Sequence, residues 1–444
     1  MATDKDERQR SDEVDAMTAQ TGCSDRIRRS AVLRSNARLP SGYHSAKSRL
    51  YVVAVTLICS LAACTPETRA PVLEAEIGRS APYGIPGVLR VWGDAIGKGQ
   101  REAIRMEMIT RAKRLHARAM SAGERLVETG LALSGGGADG AFGAGLLNGW
   151  SERGDRPEFD VVSGVSTGAI IGLFAFLGPD YDASLRELYT AYSTADLLEP
   201  SPFVALLGGS AMSNPAAYNE LIDQYVSAEI VEAIAVEAER GRVLLIGTTN
   251  LDAARPVIWN VTAIAETRHP EAVTLIRDLV RASSAIPAVF PPVVIPVETE
   301  DGRTRDELHV DGGATQQVML FSAEVPVTDV DRALGVEVDR ILYVVVNNSL
   351  EKPYEPVNLG VLSIAGKAVS SLIGGSGTGD LYKIYAITER DRTKFRVLWV
   401  PPDFDVLAKE PFDREYMRAL YELGQDIGQT GASWHDRPPN FTTR

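Results

Sequence analysis

Apolar and polar positions along this chain fall into alternating blocks of two kinds. Residues 126–134 read as an apolar strand, the pattern expected of one covered on both faces. A glycine loop follows, and then a helical segment from about Ala141. Residues 159–163 read as a second strand, leading through a sharp turn into an apolar helix over 169–177. A long amphipathic helix is expected over 216–239 and a buried strand over 243–248. Further strands are expected at 257–261, 308–310, 341–346 and 395–400. This order predicts an α/β fold: a mostly parallel central sheet with helices on both faces, in three layers. No internal repeat or clear break interrupts it, so 126–401 reads as one domain and 402–444 as a C-terminal helix and tail.

Ahead of that domain, residues 101–125 carry a leading helix. Ile104, Met108, Ile109, Ala112 and Leu115 share one side of it and basic residues the other. Residues 64–100 are rich in Pro and Gly and read as a tether and irregular lead-in. The apolar run at 50–63 has no charge and is shorter than the roughly 20 residues a spanning helix needs. Basic residues precede it, with no acidic residue between Asp25 and the run, as in the flank of an export signal. It ends in Leu61-Ala62-Ala63-Cys64, which resembles the bacterial lipobox. Residues 1–63 are therefore expected to be a lipoprotein signal with a long leading region, with Met17 as an alternative start. Cys64 would be the lipid-bearing anchor in the cell envelope, and Thr65 after it favours the outer membrane.

Charge and cysteine usage narrow the function. The formal net charge is -13, while residues 1–63 are slightly basic, so the body carries the acidic excess. That disfavours nucleic acid as a partner. Cys23, Cys59 and Cys64 all lie near the N-terminus, which leaves the body without a disulfide, a thiolate metal site or a cysteine nucleophile. The five histidines have no HExxH-type spacing, so no metal is expected.

Three loops at strand ends hold the candidate chemistry. Gly135-Gly136-Gly137-Ala138-Asp139-Gly140 lets backbone N–H groups converge near a helix N-terminus, a nest for a phosphate or a developing oxyanion. It also satisfies G-x-G-x-x-G, with Asp160 twenty residues beyond Gly140, so dinucleotide binding competes as a reading. Against that reading, Asp139 places a carboxylate inside the loop. Gly164-Val165-Ser166-Thr167-Gly168 follows a strand and opens a helix, the setting of a G-x-S-x-G nucleophile elbow. Asp311-Gly312-Gly313 closes another strand; taken alone it is an ordinary tight turn.

Together and in this order, the three loops resemble the patatin-like phospholipase family. The resemblance extends to Ala282-Ser283-Ser284-Ala285-Ile286-Pro287-Ala288-Val289-Phe290-Pro291-Pro292 and to Thr248-Thr249-Asn250-Leu251-Asp252 before Arg255-Pro256. It runs from about Leu126 to Gly313, more weakly to Pro401. It implies a serine acyl hydrolase acting on lipid carboxylic esters without a cofactor, with Ser166 as nucleophile and Asp311 as base. Gly135, Gly136, Gly137, Ala138 and Gly140 would form the oxyanion hole, and Gly164 and Gly168 would shape the elbow. Burial is expected to lift Asp311 above the ordinary carboxylate value of about 3.9. His309, on the same strand face as Asp311, is expected to pack beneath the site. One departure stands out: the family usually has Arg or Lys where this chain has Asp139, which points away from anionic headgroups and toward neutral esters. The reading from another class is a catalytically idle envelope scaffold of the same fold, for which Asp139 leaves some room.

Overall fold

The computed structural model describes residues 69–441 apart from 124, 201–212, 321–323, 352–353 and 355. The expected signal, the apolar run at 50–63 and Cys64 lie outside the described residues. All that is described belongs to the compact unit Thr68–Arg444.

Ten strands form the main sheet: β1 (Ala81–Pro82), β2 (Arg90–Trp92), β3 (Val127–Leu133), β4 (Val161–Val165), β5 (Val243–Asn250), β6 (Arg255–Asn260), β7 (Val293–Glu298), β8 (Thr304–Asp311), β9 (Asp339–Val346) and β10 (Lys394–Trp399). Their order is β1-β7-β8-β5-β4-β3-β9-β10, with β6 on β5 and β2 on β6. The central strands β5, β4, β3, β9 and β10 run parallel, as the apolar runs imply. β1, β2, β6, β7 and β8 pair antiparallel at one end. Two of these strands lie in the stretch read as a tether, where Ala81–Pro82 and Arg90–Trp92 add to the sheet instead of staying irregular.

Successive residues along each strand divide between two covering layers. Leu131 and Leu133 share a core with Phe142, Ile171 and Leu279, which lie on α2 (Gly140–Arg153), α3 (Thr167–Leu177) and α6 (Ala272–Ser283). Ala132 between them joins Leu381 and Ile384 of α7 (Val361–Arg390). On that second face Leu245 and Val165 meet Ile104, Met108 and Ile109 of α1 (Lys98–Ala122). The three-layer α/β/α arrangement is the one expected. The basic side of α1 is occupied within the fold, since Arg111 pairs with Glu128 and Arg118 with Asp160.

The helix expected over 216–239 is two: α4 (Ala216–Tyr225) and α5 (Ala228–Glu239). Ser227 breaks it. Its backbone is extended and its Oγ accepts from the Ile230 N–H, capping the second helix where apolar spacing alone suggested continuity. Near the C-terminus, α8 (Arg414–Thr430) lies directly on α2. A side chain at Gly145 or Gly149 would overlap the Tyr421 or Gln425 carbonyl, and one at Gly424 or Gly428 the Phe142 or Leu146 carbonyl. Small residues on both helices thus let the two backbones touch.

Candidate active site

Sheet register brings the second and third loops together. β4 ends where Val165 pairs with Gly247 of β5, but β5 continues to Asn250. β6 holds the other edge of β5, so the vacated edge is free for β8, which enters antiparallel with Asp311 opposite Thr248. Ser166 and Asp311 therefore meet end to end on one edge of one strand. The Ser166 hydroxyl donates to Asp311 Oδ2 at 2.7 Å, and both residues are buried.

The elbow is strained in the way its motif requires. Ser166 has φ 56° and ψ -127°, a conformation that costs about 1–3 kcal/mol and persists only where its surroundings enforce it. A side chain on Gly164 would overlap the Gly168 carbonyl, and one on Gly168 would press on the carbonyls of Leu133 and Ser134. Ser283 supplies part of the enforcement: its Oγ accepts from the Ser166 N–H at 2.8 Å and donates to the Gly247 carbonyl at 2.7 Å. The sequence held Ser283 inside the Ser-x-x-I-P segment, but nothing there indicated that it ties the elbow to β5.

Asp311 is held on both carboxylate oxygens. Its Oδ1 accepts from the Gly313 N–H at 2.7 Å, and its own N–H donates to the Ala285 carbonyl. Burial pushes its pKa up to about 6, against the opposing pull of the bonds from Ser166 and Gly313. His309 bonds neither residue. It is a fully buried residue of β8 itself, with Nδ1 on the Thr248 hydroxyl and Nε2 on Glu307, and burial lowers its pKa.

The glycine loop divides by what its N–H groups do. Gly135 donates to the Gln317 carbonyl and Gly140 turns back on the carbonyls of Gly137 and Ala138. These two, expected among the oxyanion donors, have spent their protons on the turn. The N–H groups of Gly136, Gly137 and Ala138 make no hydrogen bond among the described residues. Asn347 and Asn348, beyond β9, fix the loop from beneath through the carbonyls of Ser134 and Gly135. Asp160, the acidic residue the dinucleotide reading needs, lies at the opposite end of the strands, where it binds the Thr129 N–H and Arg118. The geometry excludes that reading.

Ser166 and Gly137 line a cavity of about 70 Å³ whose other walls are mostly apolar, among them Ile170, Leu197, Leu221, Ile286, Phe290 and Met417. A separate cavity of about 110 Å³ lies at the far end of the strands around Glu128 and Arg340. Asp139 is also raised to about 6 by burial, while the Tyr416 hydroxyl donates to its Oδ1 at 2.6 Å. Among the described residues, no group of three His, Cys, Asp or Glu side chains is placed to hold a metal.

Among solved structures the chain is similar to VipD from Legionella pneumophila, at 13% identity and a TM-score of 0.33, covering 69% of this chain and 67% of that one. It is also similar to human GIVD cytosolic phospholipase A2, at 11% identity and a TM-score of 0.29, covering 71% of this chain and 53% of the other. ExoU of the Pseudomonas aeruginosa type III secretion system, solved with SpcU, matches at 14% identity and a TM-score of 0.25, with 69% and 52% covered. The chain thus spans about half the length of the latter two. No curated protein matches it. Residues 131–330, which include both Ser166 and Asp311, match the family model described as patatin-like phospholipase.

Proposed function

We propose that this protein is a serine acyl hydrolase that cleaves lipid carboxylic esters through Ser166 and Asp311. The observation that carries the proposal is the 2.7 Å bond from the Ser166 hydroxyl to a buried Asp311, beside the unspent N–H groups of Gly136, Gly137 and Ala138. In this reading Ser166 Oγ attacks the ester carbonyl carbon as its proton passes to Asp311. The Gly136 and Gly137 N–H groups, with that of Ala138, stabilise the tetrahedral oxyanion. The alcohol leaves with the proton from Asp311. Water then attacks the acyl-enzyme, giving its proton to Asp311, and the acid departs as Ser166 recovers its own. A carboxylate near pKa 6 is a stronger base than an exposed one and is still ionised at neutral pH. No step needs a metal or cofactor. Attachment to the envelope through a lipid on Cys64 is part of the same proposal and would hold the enzyme beside its substrate.

The test is labelling of the purified protein with a fluorophosphonate probe, which reacts with activated serines. Wild type should label and Ser166→Ala should not, while Asp311→Asn should label at least about 100-fold more slowly. Equal labelling of wild type and Ser166→Ala would remove Ser166 as nucleophile.

A further inference from the structure

Two spaces of different character meet at the glycine loop. One is the smaller, apolar cavity of about 70 Å³ lined by Ser166. The other is an open groove of about 370 Å³ that runs past Gly136, Ala138 and Asp139. Gly137, Ile286 and Phe412 belong to the walls of both, so an ester carbonyl at the loop would have one substituent in each. The acyl group, wholly apolar, suits the cavity walled by Ile170, Leu188, Leu197, Leu221 and Phe290, which leaves the groove with Asp139 and Glu410 for the alcohol.

Charge along that groove has one sign. Its ionisable side chains are Asp139, Glu410 and Tyr416, and among the described residues no Lys or Arg lines it. Among the described residues no cation pairs with Asp139, whose one side-chain hydrogen bond is to a neutral phenol, Tyr416. Val289, Val406 and Leu407 make the rest of the surface largely apolar. A phosphate seated there would lie beside a partly buried carboxylate with no counter-ion, in surroundings that screen charge poorly. An uncharged alcohol meets apolar walls and the acceptors Asp139 and Glu410, to which its hydroxyls can donate.

We infer that the open groove beside Asp139 is the subsite for the leaving alcohol, and that Asp139 selects esters of uncharged alcohols over esters of phosphate-bearing ones. This rests on the hydrolase reading and narrows it: the preferred class is an acylglycerol, not a glycerophospholipid. The groove's outer wall, Val406 to Tyr416, lies beyond the residues that match the family model, so the subsite joins Asp139 of the matched segment to a wall from the C-terminal part.

The experiment compares two substrates that differ only in the phosphate, a 1-acylglycerol and the 1-acylglycerol 3-phosphate with the same acyl chain. Wild type should favour the neutral ester by at least about 100-fold in kcat/KM. Asp139→Asn, which keeps the acceptor for Tyr416, should narrow that ratio about tenfold, chiefly by raising kcat/KM on the phosphate ester, and Asp139→Arg should narrow it further. Added salt should narrow the wild-type ratio and leave that of Asp139→Asn nearly fixed, a response that a merely structural role would not give. The same ratio in wild type and both variants, or a wild-type preference for the phosphate ester, would overturn the inference. Fluorophosphonate labelling separates the two failures: a wild type that labels but shows no shift defeats the groove assignment alone. A wild type that neither labels nor cleaves either ester defeats the hydrolase reading and the groove with it.

Discussion

Asp311→Asn should make the protein more stable while removing its proposed base, and the gain should depend on pH. Asn is isosteric: its Oδ1 still accepts from the Gly313 N–H, and its Nδ2 can donate to Ser166 Oγ, so both contacts survive. What disappears is the cost of ionising a buried carboxyl. Burial raises the folded-state pKa from 3.8 to about 6. Between those values the unfolded chain has released this proton and the folded chain has kept it. Folding then binds a proton, and stability falls as pH rises through the window. Above about pH 6 the loss is complete. At about 1.4 kcal/mol per pH unit it amounts to about 3 kcal/mol. Asp139 and Asp380 are also raised to about 6 by burial, so both proteins lose stability over the same range. The difference between them isolates Asp311. Urea denaturation of wild type and Asp311→Asn from pH 4 to pH 8 should give curves that nearly coincide at pH 4 and separate between about pH 4 and pH 6. The variant should be about 3 kcal/mol more stable at pH 8. The hydrolytic rate of wild type should rise through the same titration, near pH 6, as the base ionises. Parallel stability curves would refute the reasoning, since Asp311 would then ionise as readily folded as unfolded.

Two other expectations follow from packing and from the N-terminus. Gly149→Ala drives a methyl group into the Gln425 backbone at the α2–α8 contact, where neither helix can retreat without the other. It should cost about 1–3 kcal/mol and lower Tm by several degrees, whereas Gly99→Ala, which meets nothing within 4 Å, should leave Tm nearly unchanged. Equal melting of the two variants would count against direct backbone contact. In bacteria fed labelled palmitate, Cys64→Ser should carry no label and should leave the membrane fraction; retained label would dismiss the anchor.

The parallel half of the sheet was legible because its strands are apolar on both faces, as in Leu131-Ala132-Leu133. The antiparallel half was legible only in part: a strand was expected at 257–261, where β6 lies, while β8 was read only from Leu308 to Val310. Glu307 and His309 break its apolar pattern although both are wholly buried. They are accommodated by partners no local pattern reveals. Arg90 from β2 bonds Glu307 at 2.5 Å and lies over the Trp259 ring, while Trp259 donates to Thr248, which bonds His309. A buried charge pair in a strand reads as a surface strand or a loop. The oxyanion loop had the converse limit. Its glycines were evident, but which N–H groups stay free depends on Gln317, distant in sequence.

The same contrast separates chemistry from specificity. Ser166 and Asp311 sit at strand ends, where β5 outruns β4 and leaves one edge for β8, so their meeting follows from register and needs little from the rest of the chain. The walls of the site have no such constraint. Phe412, Tyr416 and Met417 reach it only because α8 is docked on α2, and that docking depends on Gly145, Gly149, Gly424 and Gly428. Tyr416 then bonds Asp139 in the loop that opens α2, so the glycine seam and the groove are secured by the same pair of helices. A substitution in the seam, far from Ser166, would move the groove wall before it moved the nucleophile or its base. Gly149→Ala should therefore alter discrimination between the neutral and the phosphate-bearing ester more than the rate of fluorophosphonate labelling. That asymmetry is what a site with register-set chemistry and docking-set walls requires.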